Sequence, residues 1–232
     1  MKRTETIKFL IIRSIGNFLV LFALFGVFAT FGPALYYEVQ FRVATYRGVT
    51  YSVAKVVDEE IPKEEVGKEA SFADILAGQK EHILIPKDTD FSILIPKIGA
   101  NAKVFPNVDP SNSDAFIPLL SKGVAHAKGT VFPGISGNTY LFAHSTDSFW
   151  NVGRYNAIFY LLKDLAVGDD IVVFFEGLRH NYKVTEVRVV EAEDVSFITE
   201  SQNGDEEVLI LQTCWPPGTT WKRLLVFAKK TN

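Results

Sequence analysis

A chain of 232 residues with 47% apolar content can bury one good-sized core, and once a membrane segment is subtracted a single soluble domain remains. Its 24 Lys and Arg against 27 Asp and Glu leave a net charge of -3, with no basic excess to neutralise phosphates, which argues against nucleic acid as a partner. The single cysteine rules out an intrachain disulfide and a zinc site of several thiolates, and the four histidines, His82, His126, His144 and His180, show no ligand-like spacing.

Residues 1–13 carry Lys2, Arg3, Lys8 and Arg13 against Glu5 alone. Ser14 to Tyr37 follows without a formal charge and is long enough to cross a bilayer as a helix. The positive-inside tendency keeps residues 1–13 in the cytoplasm and sends the rest outward, as a single-pass protein of the cell membrane. A cleaved signal peptide also begins with basic residues, but its apolar part usually spans only about 7–15 residues and ends at a small-residue site. Here the run continues past the one weak site, Val27-Phe28-Ala29, through Phe31, Leu35 and the interfacial pair Tyr36-Tyr37. A retained anchor over 14–37 is expected. Its length and lack of a polar face argue against a buried core helix.

Residues 38–80 read as an extracytoplasmic stalk, with alternation from Tyr46 to Val57 and a charged run from Asp58 to Ala70. Ser71 is placed to cap a short helix through Ile75-Leu76. From 81 to 232 short apolar runs alternate with turn signals: FSILIPKIGA, AKVFPNV, GTVFPG, NTYLFAHS, DDIVVFFEG, NYKVTEVRVVEA, EEVLILQTC and RLLVFAKK. That spacing suits a closed or sandwiched antiparallel sheet. Ser113 to Leu120 and Asn156 to Leu165 read as helical, the second with Ile158, Leu161, Leu162 and Leu165 on one face. The fold class is mostly β with a few short helices, behind an N-terminal transmembrane helix.

Three residues are candidates to carry chemistry. The strand Val208 to Leu211 is apolar on both faces and ends at Gln212-Thr213-Cys214, just before Trp215-Pro216-Pro217-Gly218 stops the ladder. A free cysteine is commonly only a small buried apolar residue. In an exported domain, however, a solitary thiol is an oxidation liability, and its presence needs a reason. To be a nucleophile it needs a neighbouring His, Lys or Arg. His144 closes the apolar run Asn138 to Ala143 at a polar turn, Ser145-Thr146-Asp147, a place where a histidine by itself is more often a structural hydrogen-bonder than a catalytic group. In the strand Trp221 to Ala228, Arg223 shares a face with Trp221, Leu225 and Phe227. Its guanidinium needs an acceptor, either a structural carboxylate or the oxyanion of an acyl transfer.

These residues and their surroundings resemble the sortase family. Leu211-Gln212-Thr213-Cys214 is similar to the last four residues of that family's TLxTC signature, and Arg223 follows on the next strand, as the family's catalytic arginine does. Gly137 to His144 is similar to the segment leading to the catalytic histidine. Further matches are Ile95-Pro96-Lys97-Ile98, Gly123-Val124-Ala125-His126 and Leu161 to Asp169, so that the resemblance covers roughly residues 90 to 230. Ile210 stands where the signature has its first Thr, and Ala143 where many members have Gly; neither position supplies a reactive group. Residues 38 to 90 hold no clear counterpart of the lid motif of pilin-polymerising members.

The resemblance implies an eight-stranded β-barrel over 81–232 and a cysteine transpeptidase acting on exported proteins with a C-terminal, LPXTG-like sorting signal. Cys214 would form a thioacyl enzyme, His144 would serve as general acid and base, and Arg223 would hold the oxyanion. The acceptor would be an amine of a cell-wall precursor or a pilin lysine. Asp147 reads as a solvated turn carboxylate, and His126 has no catalytic role in the family. The family's calcium sites vary among members; Asp109, Asp114, Glu191 and Glu193 lack coordination spacing, and neither metal nor cofactor is expected to be required. Two alternatives stay open: an L,D-transpeptidase-like cysteine acyl-transferase, whose SHGC-like context is absent around Cys214, and an anchored β-barrel binding protein in which Cys214 only packs.

Overall fold

The structure, a computed structural model, describes residues 3–53, 81–145, 158–197 and 205–231. It opens with one long helix, α1 (Arg3–Tyr46). The stretch Glu5–Ala29 is long and apolar enough to cross a membrane, and none of it is buried within the protein. Side chains such as Ile12, Phe25 and Phe28 face outward at 70%, 68% and 67% exposure, an arrangement that water disfavours and hydrocarbon solvates. The helix is longer than hydropathy suggests. Beyond Tyr37 it continues as Glu-Val-Gln-Phe-Arg-Val-Ala-Thr-Tyr, held by the Glu38–Arg42 pair one turn apart, at 2.8 Å, and by burial of Ala44 and packing of Phe41 against the barrel core. The expected helix after Ser71 lies outside the described residues.

Two short parallel strands, β1 (Thr50–Val53) and β2 (Glu81–Leu84), pair beside the barrel. There Tyr51, Val53 and Leu84 cover Leu94, Val172 and Phe174. The barrel itself is built of β3 (Phe91–Ile95), β4 (Ala100–Val108), β5 (Val124–Ala127), β6 (Gly137–Phe142), β7 (Asp170–Phe175), β8 (Leu178–Glu191), β9 (Glu207–Trp215) and β10 (Lys222–Lys230). They close in the order β10-β8-β7-β3-β4-β5-β6-β9, the eight-stranded closure that the resemblance implied.

The antiparallel expectation needs correction at two joints, because β4 pairs β5 in parallel and β6 pairs β9 in parallel. A parallel pair cannot be joined by a tight hairpin and needs a crossover. The helix α2 (Ser113–Leu120) supplies the first one, capped by Asn112, whose side-chain oxygen accepts the Ala115 N–H at 3.2 Å. Its bounds are those the sequence suggested. The run GTVFPG is not a strand but part of the turn-rich connection between β5 and β6. Over 156–165 the described part is a short 3-10 helix, Tyr160–Asp164, with Phe159, Leu162 and Leu165 buried among the interior side chains.

Both faces of the central strands are covered, which explains why β3, β5 and β6 are buried at every position. Inside lie Ile93, Val104, Leu141, Val173, Leu209, Leu211, Leu224 and Val226. A second apolar layer covers the outer face of β6, β9 and β10, with Tyr140, Phe142, Ile210 and Leu225 beneath Phe116 and Leu120 of α2 and beneath Phe197.

Candidate active site

Alternation decides which side chains of β9 and β10 meet. Leu209, Leu211 and Thr213 point inward, so Ile210, Gln212 and Cys214 point to the outer face. Antiparallel register sets Cys214 directly opposite Arg223, Gln212 opposite Leu225 and Ile210 opposite Phe227. Directly opposed residues have their Cβ atoms within about 5.5 Å. The sequence placed Cys214 and Arg223 on successive strands; the register makes them neighbours.

His144 arrives from the other side of β9. Parallel pairing sets Tyr140 level with Ile210 and Phe142 with Gln212. The ladder then runs one residue past the strand, the Ala143 N–H donating to the Gln212 carbonyl at 3.2 Å. The buried Thr213 hydroxyl donates to the Ala143 carbonyl at 3.1 Å. These two bonds hold the main chain on which His144 is the next residue, level with Cys214. Both side chains are half-buried. Asp147 and the segment Phe149 to Tyr155 lie outside the described residues.

Burial pushes the Cys214 thiol above its ordinary range, and the positive charge of Arg223 pulls it part of the way back. Arg223 donates through Nη1 to the main-chain carbonyls of Thr220 at 2.9 Å and Lys222 at 3.1 Å. Of the two acceptors that its sequence context allowed, a structural carboxylate is not what the fold provides among the described residues. The carbonyls fix the guanidinium plane, and among the described residues the donors on Nε and Nη2 have no other acceptor.

Tyr140 and Gln212 had no assigned role in the sequence. Tyr140 is 4% exposed, and its hydroxyl donates to the side-chain oxygen of Gln212. Burial drives the phenol far above its ordinary range, and the charges of Arg223 and of a Cys214 thiolate both reach it. The available signal was spacing: Tyr140, Phe142 and His144 lie two apart, as do Gln212 and Cys214, so both sets share the outer face. The remaining buried histidines belong elsewhere. His126 accepts the Asn107 N–H at Nδ1, 3.3 Å, and its Nε2 lies 3.1 Å from the Val131 carbonyl, while His180 lies beside Glu207.

The closed barrel, with a cysteine at the end of one strand, an arginine across from it and a histidine just past the parallel neighbour, agrees with a match to the sortase domain model over residues 93–231. The chain belongs to the sortase family, whose members are cysteine transpeptidases. It is 27% identical over 141 residues to sortase D of Bacillus subtilis strain 168, covering 60% of this chain and 62% of that protein. The match thus spans less than two thirds of that relative's length. Among solved structures it is similar to sortase C-1 from Actinomyces oris, at a TM-score of 0.52 and 26% identity over 61% of this chain and 73% of that one. It is also similar to Clostridium perfringens sortase C with the C-terminal cell wall sorting motif, at a TM-score of 0.51 and 24% identity over 61% and 69% of the two chains.

Proposed function

We propose that the protein is a membrane-anchored transpeptidase in which Cys214 cuts a C-terminal sorting signal and passes the acyl group to an amine of the cell envelope or a pilin. The observation that carries this reading is the cross-strand pairing of Cys214 with Arg223. The pushed-up thiol has to lose its proton before attack, and His144 is the base for it. The thiolate adds to the scissile carbonyl carbon, and the negative charge that collects on the carbonyl oxygen is met by the Nε and Nη2 donors of Arg223. The C–N bond then breaks, with His144 returning its proton to the leaving amine, and a thioester on Cys214 remains. An incoming amine attacks the thioester, gives its proton to His144 and forms the new amide, restoring the thiol.

The sorting signal reaches the thiol from the outer face of β9, the face on which Gln212 and Cys214 lie. A sorting motif is also what the Clostridium perfringens relative was solved with. Neither a metal nor a cofactor takes part in any step. The apolar run that begins at Ser14 holds the chain in the membrane, residues 1–13 stay in the cytoplasm and the barrel stands outside. Membership of the sortase family sets the L,D-transpeptidase alternative aside.

Mass spectrometry of the protein incubated with a panel of sorting-signal peptides tests the assignment. A thioacyl adduct on Cys214 that accumulates with one motif and disappears in Cys214→Ala is the expected result. Acyl transfer or hydrolysis that persists undiminished in Cys214→Ala would sink it and favour the binding protein.

A further inference from the structure

Four charged side chains join α1 to the barrel. Lys163, on the 3-10 helix Tyr160–Asp164, reaches Glu38 of α1 at 2.7 Å and Asp164 at 3.0 Å. Arg42, one turn further along α1, reaches Glu38 at 2.8 Å and Asp164 at 3.6 Å. Glu38, Lys163 and Asp164 are each less than a quarter exposed. An isolated surface ion pair contributes little, but a partly buried network closed on itself fixes geometry. Here it is backed by apolar contact, since Phe41 packs on the interior cluster, Ala44 is 5% exposed and the Lys163 ammonium lies 5.2 Å from the centre of the Tyr160 ring.

The clamp also has a direction. Glu38 stands nine residues beyond Ala29, the end of the apolar span, or about 14 Å of helix at 1.5 Å per residue. From there the chain moves away from the membrane through Arg42 to β1, which packs beside the turn Pro96–Ile98 and Gly99. The strand directions place that turn, the 3-10 helix Tyr160–Asp164, the ends of β6 and β9 and the start of β10 at one end of the barrel.

We infer that the Glu38–Lys163–Arg42–Asp164 cluster clamps the barrel onto its anchor with the Cys214 end turned toward the membrane surface. The inference rests on the anchored reading above and makes α1 a positioning arm instead of a loose tether.

The test uses full-length protein reconstituted in phosphatidylcholine vesicles carrying a dansyl-headgroup lipid. Trp215 and Trp221 stand at the Cys214 end, and Trp150→Phe removes the third tryptophan, so energy transfer to dansyl reads how close that end lies to the lipid. Transfer is expected in the parent protein, to be lost in Lys163→Glu and to return in Glu38→Lys with Lys163→Glu. Glu38→Gln, which leaves the barrel sequence intact, should weaken transfer in the same sense. Turnover of a soluble peptide should be unchanged in Lys163→Glu, while conversion of a vesicle-tethered peptide falls about tenfold, as expected when a shared surface no longer raises the effective concentration. Equal transfer in the parent and in both single variants, or no transfer in a parent that floats with the vesicles, overturns the clamp. The transfer arm needs no catalysis and is repeated in Cys214→Ala. A missing peptide adduct with intact transfer therefore counts against the transpeptidase alone, and a chain that does not float counts against the anchor.

Discussion

At Cys214 two effects oppose each other: burial favours the neutral thiol, and the guanidinium across the strand favours the thiolate. Burial is the larger, so the resting site holds a thiol that needs a base, and Arg223 lowers the cost of removing its proton. Replacing Arg223 with Gln keeps polarity and removes the charge. The iodoacetamide labelling rate of folded Cys214 should then shift to higher pH, and kcat should fall by about 10²–10³-fold, the usual loss for one oxyanion donor. A labelling profile and turnover equal to those of the parent protein would remove Arg223 from both roles. The sequence made Cys214, His144 and Arg223 visible because each is a polar residue within or at the end of an apolar strand. Tyr140 was hidden because an aromatic residue in such a strand reads as core, and its hydroxyl acquires a partner only when β6 lies beside β9.

At the scale of the element, the junction of β6 with β9 decides where His144 stands. Thr213 faces inward, and its hydroxyl holds the Ala143 carbonyl in a site that is 1% exposed. Thr213→Val keeps the shape and removes the donor, leaving a buried carbonyl unpaired at a cost of about 1–3 kcal/mol. Thermal unfolding should register that loss. Because His144 is the next residue, the pH profile of turnover should change as well, a readout that a purely structural role would not move. A fall in stability with an unaltered pH profile would confine Thr213 to packing. Pattern reading succeeded for α2, where Asn112 and an apolar face mark the bounds. It missed β5, since a four-residue strand buried on both faces has no alternation to show.

At the scale of the molecule, the end of the barrel away from Cys214 carries a buried polar network. Glu207 accepts the Gly134 N–H at 2.8 Å, the Tyr182 hydroxyl at 2.5 Å and Lys230 at 2.7 Å. Burial alone would raise its carboxyl, but those donors outweigh burial and hold it below the ordinary 4.5. His180, 3.9 Å from Glu207, is lowered from 6.5 by burial, with Glu207 opposing and Lys230 adding to the effect; burial lowers His126 in the same sense. A depressed imidazole means that the unfolded chain takes up its proton first. The stability is complete above about pH 6.5 and drains as pH falls toward the folded values, and the share due to Glu207 is lost only below about 4.5. The melting temperature should therefore fall between about pH 6.5 and 5, less steeply in His180→Gln. An identical slope in the variant would show that His180 is not one of the responsible groups.

Composition and hydropathy by themselves determined the apolar N-terminal span, the β-rich domain behind it, and three polar residues at the ends or within apolar strands. Those are local properties, written in runs and in periods of two. Register and closure were decided only by the tertiary structure, because which strand lies beside which is a property of the whole sheet and of no single segment. Parallel pairing of β6 with β9 brings together residues 70 positions apart. The same holds for α1: hydropathy finds where a helix is apolar, but the last turns through Glu38 and Arg42 continue because Lys163, Asp164 and the barrel core are there to meet them.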